Sequence, residues 1–422
     1  MKRISLFLLL FLLLKATAVY SQGGDPEANL RIVPISPNAA SLGTYGLIPT
    51  DNYVGQANLT IPIYEIDLDG KKFPIALSYH TDGTRVAQEA TWAGLGWTLQ
   101  AGGCVIRQVQ DMDDFTARGC YNLTDAPWLT NPRFEVTDQN MERYMGYFRG
   151  DYDAEPDMFY FNAGGHSGSM FFNVLKNNRQ TNAVPTIQTQ EEVVKMVYNT
   201  SSNVWTMTDL EGYVYSFSKK ETTYYFLNTI EFFQPDITRS HIFPYNKEPQ
   251  VVTAWMLDSV TSPNGGTILF DYKKETIFTP ISTTEDVISL SEVVAGEITS
   301  QSPQYFKNKF NYNYTYSKIE QWTLSKISFE GGTVEFNTTD REDIESAESG
   351  KKVQKLSSIK VSDAAGNVIK TTMLEYKYLL SGAATTTNGY DDRLLLSKVY
   401  DVAGSKKSNV YTMDYNMGKL PP

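Results

Sequence analysis

The chain has 422 residues, a net charge of −11, 13% aromatic residues and two cysteines. That length holds two or three domains and a sizeable core. The acidic balance argues against nucleic acid as a partner, and beyond the N-terminus no apolar stretch approaches the roughly 20 residues of a membrane-spanning helix.

Lys2 and Arg3 precede an apolar run, Ile4 to Leu14, and then KATAVYSQ. This is the pattern of a secretory signal peptide over residues 1–21. Cleavage is expected before Gln22, with the small residues Ala16-Thr17-Ala18 as the other option. The protein is therefore expected to be exported: at the cell surface, in the periplasm or secreted. No cysteine lies near the cleavage site, so a lipid-anchored start is not supported.

Next come short alternating runs rich in aromatic and β-branched residues: NLTIPIYEIDL (58–68), FPIALSYH (73–80), MFYFN (158–162) and SMFFNVL (169–175). Bounded by Gly, Asn, Asp and Pro, they read as strands. The best helical pattern is TDQNMERYMGYF (137–148), capped by Thr137 or Asp138. VWTMTDLEGYVYSFS (204–218) has the form of a hairpin. Four further units open at Leu257, Leu324, Leu356 and Leu396, each with a Leu and an Ile or Val, a Gly-containing turn and an alternating strand. Glycine supplies the positive φ of such turns, and lone hairpins are marginal in water, so the units are expected to align in one sheet. Residues 222–249 and 281–309 have weak periodicity and read as long insertions.

The fold class is therefore all-β. The expected domains are an N-terminal β-sandwich-like domain over 22–250 and an extended antiparallel sheet of YD-like hairpins over 251–422.

Four blocks carry a resemblance: SLGTYGLIPTDNYVGQANLTIPIYEI, FPIALSYHTDGTRVAQEATWAGLGWTLQAGGCVIR, EPDMFYFNAGGHSGSMFF and WMLDSVTSPNGGTILFDY. In order and spread over Ile35 to Pro422, they resemble the exported region that precedes YD repeats in RHS-type proteins of Bacteroidetes. The resemblance implies a β-rich lead-in to a shell of YD hairpins, used at the cell surface or to enclose a C-terminal effector. The chain stops at YNMGKLPP, about where such proteins continue into their repeats. Neither a complete shell nor an enclosed toxin is expected within it. Cys104 stands where relatives carry an aliphatic residue, and the family offers no agreed catalytic residues to transfer.

WAGLGWTLQAGG (92–103) supplies Gly94 and Gly96, but position 99 is Leu and the sequence continues as strand-like CVIRQV. A dinucleotide loop needs a third glycine and a following helix. Trp92 and Trp97 then mark either a structural corner or a surface pair that stacks on sugar. GHSGS (165–169) lacks the second glycine of a nucleophile elbow, and strands flank it. With only His80, His166 and His241 in the chain, His-dependent catalysis has few ways to assemble. No His/Cys cluster has zinc spacing. Asp151, Asp153, Glu155 and Asp157 alternate, and Asp111, Asp113 and Asp114 add hard oxygen ligands; calcium, or plain solvation, is open there. Cys104 and Cys120 either form a disulfide, which export permits, or Cys104 is a small buried strand residue.

Residues 351–422 hold 10 Lys and 1 Arg against 6 acids, a surplus of +5 that leaves −16 upstream. Because the lysines alternate with apolar residues, a solvated sheet face is expected. The leading functional reading is a non-enzymatic exported scaffold whose partner is a downstream YD-repeat shell. A carbohydrate-binding surface protein, with a surface glycan as ligand, comes second, and an enzyme third. No cofactor is expected other than the calcium considered above.

Overall fold

The structure, a computed structural model, describes residues 33–47, 58–80, 88–110, 112–122, 151–153, 155–173, 182–188, 194–234, 241–244, 250–280, 282–289, 308–379, 392–403 and 406–415, together with positions 141, 145 and 146. The signal segment and Trp128 lie outside these. So does most of the helix expected over 137–148, whose described positions Met141, Met145 and Gly146 are helical.

The chain divides into two compact units. One comprises Val33–Gln108, Met158–Phe172 and Gln180–Pro422, the other Met1–Ile32, Val109–Asp157 and Asn173–Arg179. The boundary expected near residue 250 is corrected: residues 250–261 pair with 214–224 inside one sheet, and the segment set apart is 109–157.

The first unit begins with helix α1 (Pro37–Leu47), β1 (Asn58–Leu68), β2 (Lys71–His80), β3 (Trp97–Gln100), β4 (Gly103–Gln108), β5 (Met158–Ala163), β6 (His166–Phe171), β7 (Asn182–Ala183) and β8 (Thr186–Ile187). It continues with β9 (Val194–Asn199), β10 (Val204–Asp209), β11 (Val214–Gln234), β12 (His241–Pro244), β13 (Gln250–Thr261), β14 (Thr267–Phe278) and β15 (Ser282–Ser289). Last come β16 (Asn308–Phe329), β17 (Gly332–Asp340), β18 (Gln354–Asp363), β19 (Val368–Leu379), β20 (Arg393–Ala403) and β21 (Lys406–Thr412). The class is all-β, as the alternation predicts.

Helix α1 was not anticipated, although Ser36-Pro37 announces it. The Ser36 hydroxyl accepts the Ala39 N–H at 3.2 Å, and proline occupies the first helical position, where no amide donor is needed.

β1, β2 and β3 form a separate antiparallel sheet. Its outer strand β1 buries Ile61 and Ile63, then Ile66 and Leu68, a change of phase produced by a bulge between Pro62 and Tyr64. Proline is tolerated there because, among the described residues, β1 pairs only with β2.

The strands from β4 to β13 close on themselves. β13 pairs with β4, and the ring continues through β5 and β6 to β8, then from β7 to β9, β10 and β11, which pairs back onto β13. The expected β-sandwich is thus corrected to a barrel. Its inward positions carry Phe159, Met170, Met196, Trp205, Met207, Phe217 and Trp255, all at most 2% exposed. Trp205 sits at the centre, with ring centroids 4.7 Å from Tyr198, 5.3 Å from Phe159 and 6.2 Å, edge-on, from Trp255. Closure suits this composition, because large rings on alternate positions of every strand fill a small barrel.

β11 and β16, 21 and 22 residues long, each serve two neighbourhoods. The second half of β11 pairs with the first half of β16, and the rest of β16 pairs with β14 and β17. The insertions expected at 222–249 and 281–309 are therefore corrected in part: 222–234, 241–244, 282–289 and 308–309 are paired strand. From β16 onward, β17 to β21 follow as successive antiparallel neighbours, and the units opening at Leu257, Leu324, Leu356 and Leu396 are all hairpins.

Candidate functional site

GHSGS, which lacks the pattern of a nucleophile elbow, forms the tip of the β5–β6 hairpin at His166. The tip sits beside two other turns of the same unit, Asp69-Gly70 between β1 and β2, and Leu210–Tyr213 between β10 and β11. Asp209 is the hub. Its Oδ1 accepts the N–H groups of Glu211 at 3.0 Å and Tyr213 at 2.9 Å, closing the turn. Its Oδ2 accepts the Tyr215 hydroxyl at 3.1 Å and the Lys71 ammonium at 2.5 Å. The Lys71 ammonium also lies 5.0 Å from the Tyr213 ring centroid, and the Tyr213 hydroxyl donates to the Leu68 carbonyl. Gly164, at φ +59°, is required here, since a Cβ would fall 2.3 Å from the Tyr215 oxygen.

Burial opposes every charge in this group, but the ion pair prevails. The Asp209 hydrogen bonds outweigh burial and hold the Lys71 pKa above its ordinary value. Against the same opposition, Lys71 and the Tyr213 N–H hold the Asp209 carboxyl below the usual range. Burial, then the Lys71 charge, keep the His166 imidazole neutral near pH 7. His166 Nε2 stands 3.9 Å from Asp209 Oδ2, beyond a hydrogen bond. No serine hydroxyl among the described residues bonds to His166, and Ser167 is exposed on the following strand position. A nucleophile needs its base within about 3.2 Å. The cluster's chemistry is that of a staple fastening the β1–β2 hairpin to the barrel.

Residues 90–97 form a buried corner. Leu95 N–H donates to the Leu394 carbonyl at 2.8 Å, and Leu356 N–H to the Trp92 carbonyl at 3.0 Å. Gly94, at φ +112°, lies so close to β20 that a Cβ would meet the Leu396 nitrogen at 3.0 Å. Trp97 Nε1 donates to the Tyr415 hydroxyl, which donates to the Leu396 carbonyl. Trp92 and Trp97 are 7% and 1% exposed, so neither offers a face to a sugar, and the ligand-binding reading of this pair is corrected. Trp205, at 0%, is equally enclosed.

Beneath the corner lies a pair the sequence reading missed. Arg341 and Asp343 are bidentate, Nε to Oδ1 at 2.8 Å and Nη2 to Oδ2 at 2.6 Å, with both side chains at most 2% exposed. Arg341 also donates to the Ala90 carbonyl, and Asp343 accepts the Leu394 N–H. T-D-R-E-D in a polar turn gives no sign that two of its charges are buried.

In the second unit, the acids act on the backbone. Asp157 accepts the N–H groups of Gln110 and Asp114, Asp114 accepts that of Asp157, and Asp153 accepts those of Cys120 and Glu155. Asp151 is half-buried beside them, and Asp111 is outside the described residues. Among the described residues, no three His, Cys, Asp or Glu, Asp151, Asp153 and Asp157 included, converge as metal ligands. Cys104 is the small buried strand residue of the two readings, and both it and Cys120 are buried free thiols. Burial, and then the neighbouring carboxylates, push both thiols up to about 12.

The C-terminal lysines lie in cross-strand pairs: Lys360 with Glu335 at 2.9 Å, Lys370 with Asp401 at 3.0 Å, and Lys398 and Lys407 with Glu375 at 3.8 and 3.7 Å. Lys407 also covers the Tyr400 ring at 3.9 Å.

These features define an all-β protein in which a closed barrel leads into an array of antiparallel hairpins. Among solved structures, it is similar to the N-terminal domain of effector protein SpvB from Salmonella typhimurium (11% identity, TM-score 0.37, covering 82% of this chain and 98% of that one). It is also similar to TcdB2-TccC3 (11%, 0.37, 90% of this chain and 16% of that one) and to the Photorhabdus luminescens Tc holotoxin pore (11%, 0.33, 90% and 16%). The chain thus spans about one sixth of the length of the Tc chains it matches. No protein-family model and no curated protein matches the sequence.

Proposed function

We propose that this chain is a non-enzymatic, exported scaffold, the N-terminal part of an RHS/YD-repeat-type surface or secreted protein. The observation that carries the reading is the hairpin array from β16 to β21. Its last strand is exposed at all seven positions, and among the described residues it pairs only with β20. Such a row of free backbone groups accepts a further strand, and a following YD-repeat shell supplies one. The four sequence blocks that resemble RHS lead-in regions support the same partner.

Export is tested by fractionating cells that produce the full chain and sequencing the N-terminus, which is expected at Gln22. The partner is tested by mixing the purified chain with a YD-repeat polypeptide and following amide exchange. Protection of 406–412 is expected, and it should be weakened by Val410→Lys on the open edge. Retention in the cytoplasm, binding on a glycan array or cleavage of a polysaccharide would replace this reading with another.

A further inference from the structure

Glu221 lies on the outward face of β11. Its cross-strand neighbour is Ala254, which joins Cys104, Ile106 and Met256 in the apolar patch that receives Ala39 of α1. Over this patch runs the segment leading into the helix. Glu221 Oε1 accepts the Ser36 N–H at 2.8 Å and the Thr253 hydroxyl at 3.2 Å. The Thr223 hydroxyl donates to the Pro34 carbonyl at 2.9 Å. On the other flank, Asn162 Nδ2 donates to the Leu42 carbonyl, and Asn38 Oδ1 accepts the Trp92 N–H. The segment is therefore strapped to the barrel wall by a few side chains, with one carboxyl at its base.

That carboxyl is 0% exposed, and its Oε2 has no hydrogen-bond partner. Residues 33–42 bring no charged side chain to it. β4 brings Cys104, a neutral thiol; β14 brings Tyr272, and β13 brings Asp258 alongside Tyr272. On β11 itself, Lys219 lies over the Trp322 ring. Among the described residues, no Lys, Arg or His forms an ion pair with Glu221. Neutral, the side chain keeps both of its Oε1 bonds. Ionised, it is a buried charge that Ser36, through its N–H and its hydroxyl, and the Thr253 hydroxyl face with donors, while its Oε2 has no hydrogen-bond partner, which is costly.

We propose that residues 33–47 form a proton-latched strap: the neutral Glu221 carboxyl holds it against the barrel, and loss of the proton frees it and uncovers Cys104. Burial raises the docked Glu221 pKa, outweighing the opposing Ser36 and Thr253 bonds, whereas release returns the group to water and its ordinary 4.5. The sign follows. A group whose docked pKa is raised gives its full stabilisation below the free value, and that stabilisation is lost as pH rises towards the docked value. Over that interval the opening constant grows about tenfold per pH unit, then levels off.

The test is amide exchange over residues 34–42 of the full chain between pH 5 and pH 9. Rates are corrected for base catalysis and referenced to the amides of β10 in the same molecule. Wild type is expected to show strap opening that climbs about tenfold per unit over part of this range. Glu221→Gln, which retains the acceptor but cannot ionise, is expected to stay flat. Alkylation of Cys104, located by peptide mapping and compared with Cys120, should follow the wild-type curve. A flat wild-type curve overturns the proposal, as does an equal climb in the variant. If the variant does not fold, the wild-type curve and Cys104 labelling decide alone, because their reference is internal.

Discussion

Asp343→Ala is expected to be among the most damaging single changes in the hairpin array. Arg341 is 2% exposed and spends three hydrogen bonds on two partners, the Asp343 carboxylate and the Ala90 carbonyl. Removing the carboxylate leaves the guanidinium buried with the Ala90 oxygen as its remaining hydrogen-bond acceptor and the Glu89 and Glu275 carboxyls acting on it only through space, a situation that costs about 3–5 kcal/mol. It also strands the Leu394 N–H, a buried donor left without its acceptor, which costs about 1–3 kcal/mol. Replacing both residues, as in Arg341→Met with Asp343→Leu, removes the charges together and should cost less than Asp343→Ala alone, because buried pairs repay little more than their own desolvation. Urea unfolding followed by tryptophan fluorescence reads this as a lower midpoint for the single variant than for wild type or the double variant, the shift being the loss divided by a slope that grows with the surface exposed on unfolding. Exchange at the Leu95 amide, which bonds to the Leu394 carbonyl, should rise with it. A loss below about 1 kcal/mol, the range of an exposed pair, would refute the reasoning and mean that the guanidinium is hydrated.

Trp205→Ala should cost about 3–5 kcal/mol by emptying the centre of the barrel. Trp205→Phe should recover most of that, because the indole Nε1 has no hydrogen-bond partner to lose; equal costs in thermal unfolding would contradict the packing described. Gly94→Ala meets both a forbidden φ and the β20 backbone, so a loss of about 2 kcal/mol or more is expected in the same assay. The Asp209 pKa is lowered in the folded state, so its stabilisation is present above the ordinary 3.8 and is lost as pH falls through the folded value. Asp209→Asn should therefore trail wild type at pH 7 and converge with it in acid, and a gap that persists at pH 2 would argue for a purely steric effect. Denatured protein should take up two equivalents of alkylating reagent without any reductant, since both thiols are free.

The local part of this fold is legible in the sequence. Hairpins such as β18–β19 announce themselves because apolar alternation and a glycine turn fall within about 25 residues, and the strands pair with their nearest neighbours. What escapes is whatever depends on distant partners. The second half of β11 pairs with β16 some 90 residues away, and nothing in TTYYFLNTIEFF says which strand receives it. Barrel closure escapes for the same reason: it is made by β13 meeting β4 across an interval of about 150 residues. At the sites, Lys71 and Asp209 are 138 positions apart, and neither carries a local mark of burial. The tryptophan corner was legible as a corner, since glycines beside large rings imply close backbone approach, but its partners Leu394 and Leu396 were not.

The charge pattern bears on how an open array avoids associating with itself. Of the surplus of +5 after residue 350, three charges face acids upstream of that stretch, Lys360 with Glu335, Lys352 with Glu342 and Lys351 with Glu348, which weakens the cationic field that would draw anionic partners over a distance. At the open edge, Lys406 and Lys407 begin β21, and Asn409, at φ +48°, interrupts its register against β20. Lysines and a local kink are the devices by which sheet edges resist indiscriminate pairing. An incoming strand must therefore match an irregular register and leave Lys407 its contacts with Tyr400 and Glu375. A strand tethered in the right frame meets that condition more readily than a second copy of the same edge. On these grounds, Asn409→Val, whose β-branched side chain disfavours the positive φ, with Lys406→Thr should raise self-association of the isolated chain in analytical ultracentrifugation. An unchanged sedimentation profile at high concentration would mean that the edge is guarded by something other than its lysines and its kink.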